Sequence, residues 1–509
     1  MKSIVSTPRR SGSALVVALI MVGILASLAA ATFMVLNNKY RVVHQAASWQ
    51  EALLTAEAGV DMGMTEIRRQ LYDSEALWSG KFGWNLEGTR STSKQVLLRE
   101  GEGGTESWAE VTVEWPEDLK DPSGEQWYKI TSHGYCQISG GQVAAGSKED
   151  LRLRKLSLHG DRRASIDGKS SAEVETPNAH RVIEAIAKPQ YAFRMALFGV
   201  RKIDLTNHNI LVDSYDSRDP DKSNWPTGAT EGTYPWNDPT DHSAGIDEDK
   251  RQWNGDIGTN GEVINAGNAH IYGTANTNGG TVLDDDNVTG NYPNDPNRVR
   301  DDFSMAVPGV KAPSDSGQTQ TTVDPRTGIQ ATTGTGTRIV VPNINLSGQE
   351  VLNITGQTGV DTYVEIVVTG NITVTGQAQI VLDPGVHGRI FLQGDADVGG
   401  KGFTNPGSPL NLQIYGTERT VNTTTGEVTD PGNIKIAGNG GFSGSVYAPH
   451  HNVELKGGGT TNDSSAVYGA FAGYTVLMNG VTAVHYDEAL GDGGLVTGYN
   501  VVSWFEDER

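Results

Sequence analysis

Asp383, His387, Asp395 and Asp397 lie close together in the chain and are of the types that carry acid–base chemistry. Polysaccharide hydrolases and lyases need carboxylates or a basic group set together on one face. These four sit among Pro384, Gly385 and Gly394, where ordinary turn formation is the favoured account of them. His450 and His451 are adjacent, so on a strand they point to opposite faces and cannot both bind one metal. His485, beside Tyr486 and Asp487, could face them from a neighbouring coil. The acidic runs at 283–287 and 294–302 offer oxygens of the kind calcium takes, but without EF-hand spacing they read as solvated loops. No catalytic residue, metal ligand or cofactor is assigned from these groups, and the chain reads as a non-enzyme.

Composition sets the elements that must position such side chains. The 509 residues allow two or three domains and a sizeable core. Lys and Arg number 40 against 61 Asp and Glu, which excludes a nucleic-acid surface for the main body. The single cysteine, Cys136, rules out an intramolecular disulfide, and a buried small apolar side chain is its favoured role. Sixty-three glycines point to many tight turns and to β structure after the N-terminal region.

That N-terminal region is different in kind. No residue from Ala14 to Leu36 is charged, and about 23 apolar or small residues are enough to cross a bilayer core of about 30 Å. Lys2, Arg9 and Arg10 precede the run, which predicts a cytoplasmic N-terminus and a single pass. A signal peptide cut after Ala31 is the alternative, but the run exceeds a usual signal core and its helical pattern does not stop. Val42, Ala46, Trp49, Leu53, Ala56, Val60, Met64, Ile67 and Leu71 recur at steps of three and four. One helix over 13–72 would be about 90 Å long. Its outer stripe needs a partner, either the chain's own globular part or neighbouring subunits. Glu57 lies at the edge of that stripe and reads as a solvated charge.

Farther on, the periodicity changes to two. The stretches 108–115, 127–139 and 151–158 alternate apolar and polar residues and predict three antiparallel strands on the helix, within a small sheet over 73–160. Residues 161–190 read as a linker with a short helical stretch in "AHRVIEAIA". From 191 to 509 short alternating strands are closed by Gly, Asn or Gln turns, with a long loop from Arg218 to about Gln252. Setting "SVYAPHHNVELKGG" against "AVYGAFAGYTVLMNG" gives a spacing of about 21 to 23 residues, in the range of one solenoid coil. A right-handed parallel β-helix or related solenoid is the expected fold, with a β-sandwich or jelly roll left open.

The basic leader "RRSG", the unbroken "ALVVALIMVGIL" and the amphipathic continuation resemble a type IV pilin-like protein. The resemblance implies cleavage by a prepilin peptidase after Gly12, leaving Ser13 as the mature N-terminus, and a helix that packs among other pilin subunits. Most major pilins carry glutamate at the fifth mature position, where this chain has Val17. That departure and "ALLTAEAGVDMGM" at 52–64 are closer to minor pilins of the PilX type. The later segment resembles a glycine-rich β-helical domain found appended to such N-termini, carried on "LQIYGT", "GSVYAPHHNVEL" and "VHYDEAL". The resemblance implies an inner-membrane anchor, a periplasmic or extracellular bulk in a pilus-like filament, and a helix assembly face including Val17, Trp49, Leu53, Val60 and Met64. The β domain would then serve adhesion or a tip function, facing an extracellular surface or carbohydrate. The other reading is a membrane-anchored β-helical carbohydrate-binding protein or polysaccharide-degrading enzyme.

Overall fold

The computed structural model describes residues 12–72, 84–93, 96–100, 106–120, 126–137, 178–205, 210–219, 221–223, 251–261, 263–313, 318–319, 323–330, 337–357, 359–438, 442–457, 466–480 and 483–507. Contacts divide the chain into two units. Unit 1 comprises Met1–Leu119, Gln126–Lys188 and Asn500–Arg509; unit 2 comprises Pro189–Tyr499 and the short Lys120–Glu125.

In unit 1 the proline-free run forms one helix, α1 (Gly12–Tyr72), of 61 residues. Leu15–Arg69 is long and apolar enough to cross a membrane by length and composition, and the most apolar window within it is not buried at all. Burial begins with Ala52 and continues through Thr55, Ala56, Val60, Met64 and Ile67. This stripe lies on a sheet of β1 (Trp84–Glu87), β2 (Arg90–Ser93), β3 (Val96–Glu100), β4 (Glu106–Glu114), β5 (Tyr128–Gln137) and β6 (Asn178–Tyr191). The sheet order is β1-β2-β4-β5-β6 and then the strand Val496–Asp507, with β3 paired to β4. Strand β4 alternates buried and half-buried residues along its whole length, as a sheet with one covered face requires. Ala109, Val111, Val113 and Ile130 are fully buried apolar residues facing inward on β4 and β5.

Helix and sheet meet through glycine. A Cβ on Gly134 of β5 would overlap the Ala52 carbonyl oxygen and the Ala56 backbone, and one on Gly59 would overlap the Ser132 hydroxyl. Their missing side chains let the two backbones approach far more closely than side-chain packing permits.

Two expectations need correction. Residues 178–190, read as the end of a linker with a helical turn, form β6, paired antiparallel with β5 from Tyr128↔Ala187 to Gln137↔Asn178. The reason is tertiary: Ala179, Ile183, Ala185 and Ala187 alternate into the core and outweigh the local helical preference of alanine. The end of the segment assigned to the second domain, Asn500–Asp507, belongs instead to the sheet of unit 1. The expected strand at 151–158 lies outside the described residues.

Unit 2 is built almost wholly from parallel pairs. One inward column runs Ile339↔Ile366↔Ile390↔Ile414↔Val446↔Phe471. A second runs Ile344↔Ile372↔Ala396↔Ile434↔Val453↔Val476. A third face holds Leu352↔Ile380↔Phe403 and, in a separate sheet, Phe442↔Val467↔Val484. Nearly all of these side chains are buried in one apolar cluster.

The stack does not follow chain order. The first strand of the unit, β7 (Leu197–Asp204), pairs with Phe471–Asn479 near the other end of the unit's sequence, through Phe471↔Leu197 and Val476↔Ile203. Strand β8 (Leu211–Tyr215) likewise pairs with Ala483–Asp487. The columns then continue beyond β7 through Ile257, Ala275 and Val299.

Candidate assembly surface

Gly12 and Ser13, the expected processing point, are the first two residues described in α1. Val17 is exposed on the uncovered half. Val60 and Met64 are not available to a neighbour: they are 1% and 4% exposed, against the chain's own sheet. Leu53 is half-buried beside them. Trp49, one turn below the first docked residue, stays exposed, and the guanidinium of Arg181 from β6 sits over its ring at 5.0 Å. The five expected face residues therefore separate into an inner group held by unit 1 and an outer group, Val17 and Trp49, that stays exposed. Glu66 is buried on the docked half and paired with Arg69; burial pushes its carboxyl above the usual range, against the pull of Arg69.

In unit 2 Asp395, His450 and His451 gather around Arg419, while the other chemistry-bearing residues lie in separate contacts. Asp395 accepts from Arg419 Nη2 at 3.0 Å and from the Asn433 amide at 2.9 Å, while Asp397 pairs with Lys435 at 3.2 Å. The His387 ring stacks on Tyr363 at 4.7 Å, its Nε2 lies 3.7 Å from Asp361, and burial lowers its pKa. The backbone N–H of Asp383 donates to the Ile354 carbonyl in the expected turn. His450 Nδ1 accepts from the Arg419 amide at 2.9 Å, whereas His451 Nε2 meets the Gly394 carbonyl at 3.2 Å. Their partners differ, as neighbours on a strand require. His451 is fully buried, and burial first, then Arg419, hold its pKa down at about 4.

His485 does not face that pair. Its Nδ1 lies 2.6 Å from Asp213 Oδ1, and Arg251 Nε reaches the other carboxylate oxygen at 3.2 Å. Next to it Asp487 accepts from Ser408 Oγ and from the amides of Ser217 and Ala489, each at 3.1 Å. Desolvation nevertheless raises the Asp487 pKa. Both groups sit on the pair that joins β8 to Ala483–Asp487, so this polar cluster clasps segments remote in sequence. Sequence reasoning found His485 and Asp487 but missed Asp213 and Arg251, because no local spacing links them.

Among the described residues no three His, Cys, Asp or Glu side chains are grouped to hold a metal ion. In the acidic runs, Asp295 accepts from the Asn291 and Asn297 amides, and Asp285 lies 3.6 Å from Arg298, an arrangement of capped turns. An open depression of about 360 Å³ crosses the outer face of the stack. Its floor is a ladder in which Thr475 Oγ1 donates to Asn452 and Asn452 to Asn433, so those amides answer one another. No sequence pattern marked the apolar run at Val501–Phe505, whose exposure follows from its place at the sheet edge.

Residues 309–493 match the model of a family described as a domain of unknown function (DUF7305). The chain matches no curated protein. Among solved structures it is similar to the competence-associated pilin ComZ from Thermus thermophilus, with 11% identity and a TM-score of 0.19 over 90% of this chain and 97% of that one.

Proposed function

We propose that the chain is a structural subunit of a type IV pilus-like filament, a minor pilin of the PilX type, that carries a β-solenoid as its displayed domain. The observation that carries this reading is α1 itself. One unbroken helix has an apolar first half with no cover in the chain and a second half fitted to a small antiparallel sheet. A plain anchor needs only the first half, and a soluble core helix would not leave it bare. Before assembly the bilayer covers the bare half; in a filament the helices of other subunits do. Prepilin peptidase cuts after Gly12, the N-terminus is cytoplasmic, and the bulk lies across the inner membrane.

In this reading the parallel columns of unit 2 are successive coils of a right-handed solenoid, and the domain acts by display, without catalysis. The cations bound to Asp395 and Asp397 suit that role better than acid–base work, for which one carboxyl must be kept protonated. Sequencing the mature N-terminus from membranes with and without prepilin peptidase tests the proposal. Ser13 is expected with the enzyme and Met1 without it. A chain beginning just after Ala31, or one unaffected by the peptidase, would overturn the reading.

A further inference from the structure

The face of the unit 1 sheet turned away from α1 carries a row of rings. Trp108 on β4, Tyr135 on β5 and His180 on β6 are register partners, each alternating with buried neighbours that face the helix. The Tyr135 ring stacks on Trp108 at 5.3 Å and on His180 at 4.6 Å, which fixes the plane of the imidazole. His133, two residues before Tyr135 on the same face, brings its Nδ1 to 3.0 Å from His180 Nε2. Glu110 stands opposite His133 in the register.

The two imidazoles meet edge to edge. Their planes differ by 4° and their centroids are 5.3 Å apart, which is the 3.0 Å between the nitrogens plus one ring radius at each end. Both nitrogens therefore aim into one gap, where one donates a proton and the other accepts it. The same gap is a chelate bite: two metal–nitrogen bonds of about 2.1 Å meeting at a right angle hold their nitrogens about 3.0 Å apart. A metal at that apex needs the rings to tilt within their common plane, a movement that keeps His180 flat on Tyr135. His180 is exposed and His133 half-buried, so an ion can reach the gap from solvent.

We infer that His133 and His180 chelate one divalent transition-metal ion of the kind that prefers imidazole. Each ring supplies one nitrogen, and water fills the remaining positions. The proton in the gap passes through water to the far nitrogen of the donor ring, so both rings bind as neutral imidazoles and no net proton is released. A right-angle bite favours Cu(II) or Ni(II), whose tetragonal geometry sets neighbouring ligands at that angle, over tetrahedral Zn(II). The Glu110 carboxylate adds negative charge beside the cation. Bound metal joins β5 just before its end at Gln137 to β6 just after its start at Asn178. It acts as a staple across the two strands that bracket residues 138–177, and it stabilises the sheet under α1 in step with ion concentration. No sequence motif marks the pair, because 47 residues separate its members. The inference stands apart from the filament-subunit reading and does not need it.

Metal titration of the full chain in detergent tests it, after stripping with a chelator and in a Cys136→Ala background that removes the one thiol. Electron paramagnetic resonance at neutral pH is expected to show one tightly bound Cu(II) carrying two imidazole nitrogens. His133→Asn and His180→Asn should each remove one of those nitrogens and weaken binding about a hundredfold, the gain of a second tethered ligand. His270→Asn, at an exposed histidine of unit 2, should change neither. With Ni(II), amides of β5 and β6 should exchange more slowly in the parent and at an unchanged rate in either variant; exchange of the Val111 and Ile130 amides without metal checks that the variants fold. Copper held equally well by both variants is an adventitious ion only and overturns the inference. So does binding that leaves exchange in β5 and β6 unaltered. A parent that takes no Cu(II) through two imidazoles overturns it whatever the variants do.

Discussion

In unit 1 a helix lies on a sheet at places where side chains are missing; in unit 2 the strands are held chiefly by columns of large apolar side chains stacked in register. Gly59 and Gly134 bring α1 and β5 into backbone contact, whereas Ile366, Ile390 and Ile414 stack one on the next. The two units should therefore fail in opposite ways. Adding atoms breaks the first, because there is nowhere to put them. Removing atoms breaks the second, because neighbouring strands are hydrogen-bonded in register and cannot close the gap.

The largest effect is expected where unit 2 joins its two ends. Phe471 is 1% exposed, pairs with Leu197 and Val446, and has its ring 5.7 Å from that of Phe442. Phe471→Ala should destabilise the unit by about 4 kcal/mol, the cost of a buried phenyl ring and the cavity it leaves. Native-state hydrogen exchange should show the loss in β7 and in Phe471–Asn479, with amides of β4 and β5 unchanged. A loss below about 1 kcal/mol would mean that the out-of-order joint carries little of the unit's stability.

Gly134→Val asks the converse question of unit 1. The added side chain would meet the Ala52 carbonyl and the Ala56 backbone, which cannot rotate away. Overpacking of this kind costs about 3 kcal/mol. Exchange protection of Val111 and Ile130 amides should fall while that of Ile390 and Ile414 stays. If the variant is as stable as the parent, the helix rides higher on the sheet and the comparison between the units loses its first half.

These differences also explain what could be read from the chain. Helix α1 was legible because a proline-free run with a three-and-four stripe leaves few alternatives, and β4 because its alternation is unbroken. In β6 the alternation of Ala179, Ile183, Ala185 and Ala187 was present, but alanine and a nearby helical spacing masked it until β5 supplied the partner. The expected spacing of about 21 to 23 residues matches the strand pairing Val453↔Val476 but not the one just before it. There Val446 pairs with Phe471, not Val467, because a register shift lies between Ala448 and Asn452. The joint between β7 and Phe471–Asn479, and with it the Asp213–His485 contact, had no local signature, since each partner completes the other from the far end of the unit.

The smallest effect is the one that acid should have on unit 2 alone. His451 is fully buried, its Nε2 on the Gly394 carbonyl, with a folded pKa of about 4 against an ordinary value of 6.5. The unfolded chain takes up the proton first, so stability should fall as pH drops through that window and level off below it. His387 and His450, also lowered chiefly by burial, act in the same direction. Asp487 acts oppositely: its raised pKa means that the folded state takes up a proton before the unfolded one, which adds stability as pH falls. Each tenfold difference in proton affinity between the two states is worth about 1.4 kcal/mol, so His451 should contribute about 3 kcal/mol of acid sensitivity, reduced by whatever Asp487 returns. Denaturant unfolding followed at several pH values between 7 and 4 should show the decline in the parent and a clearly shallower one in His451→Gln, which keeps a donor for Gly394. An unchanged slope in that variant would move the acid sensitivity elsewhere. It would also show that unit 2 tolerates a charge at the register shift between Ala448 and Asn452.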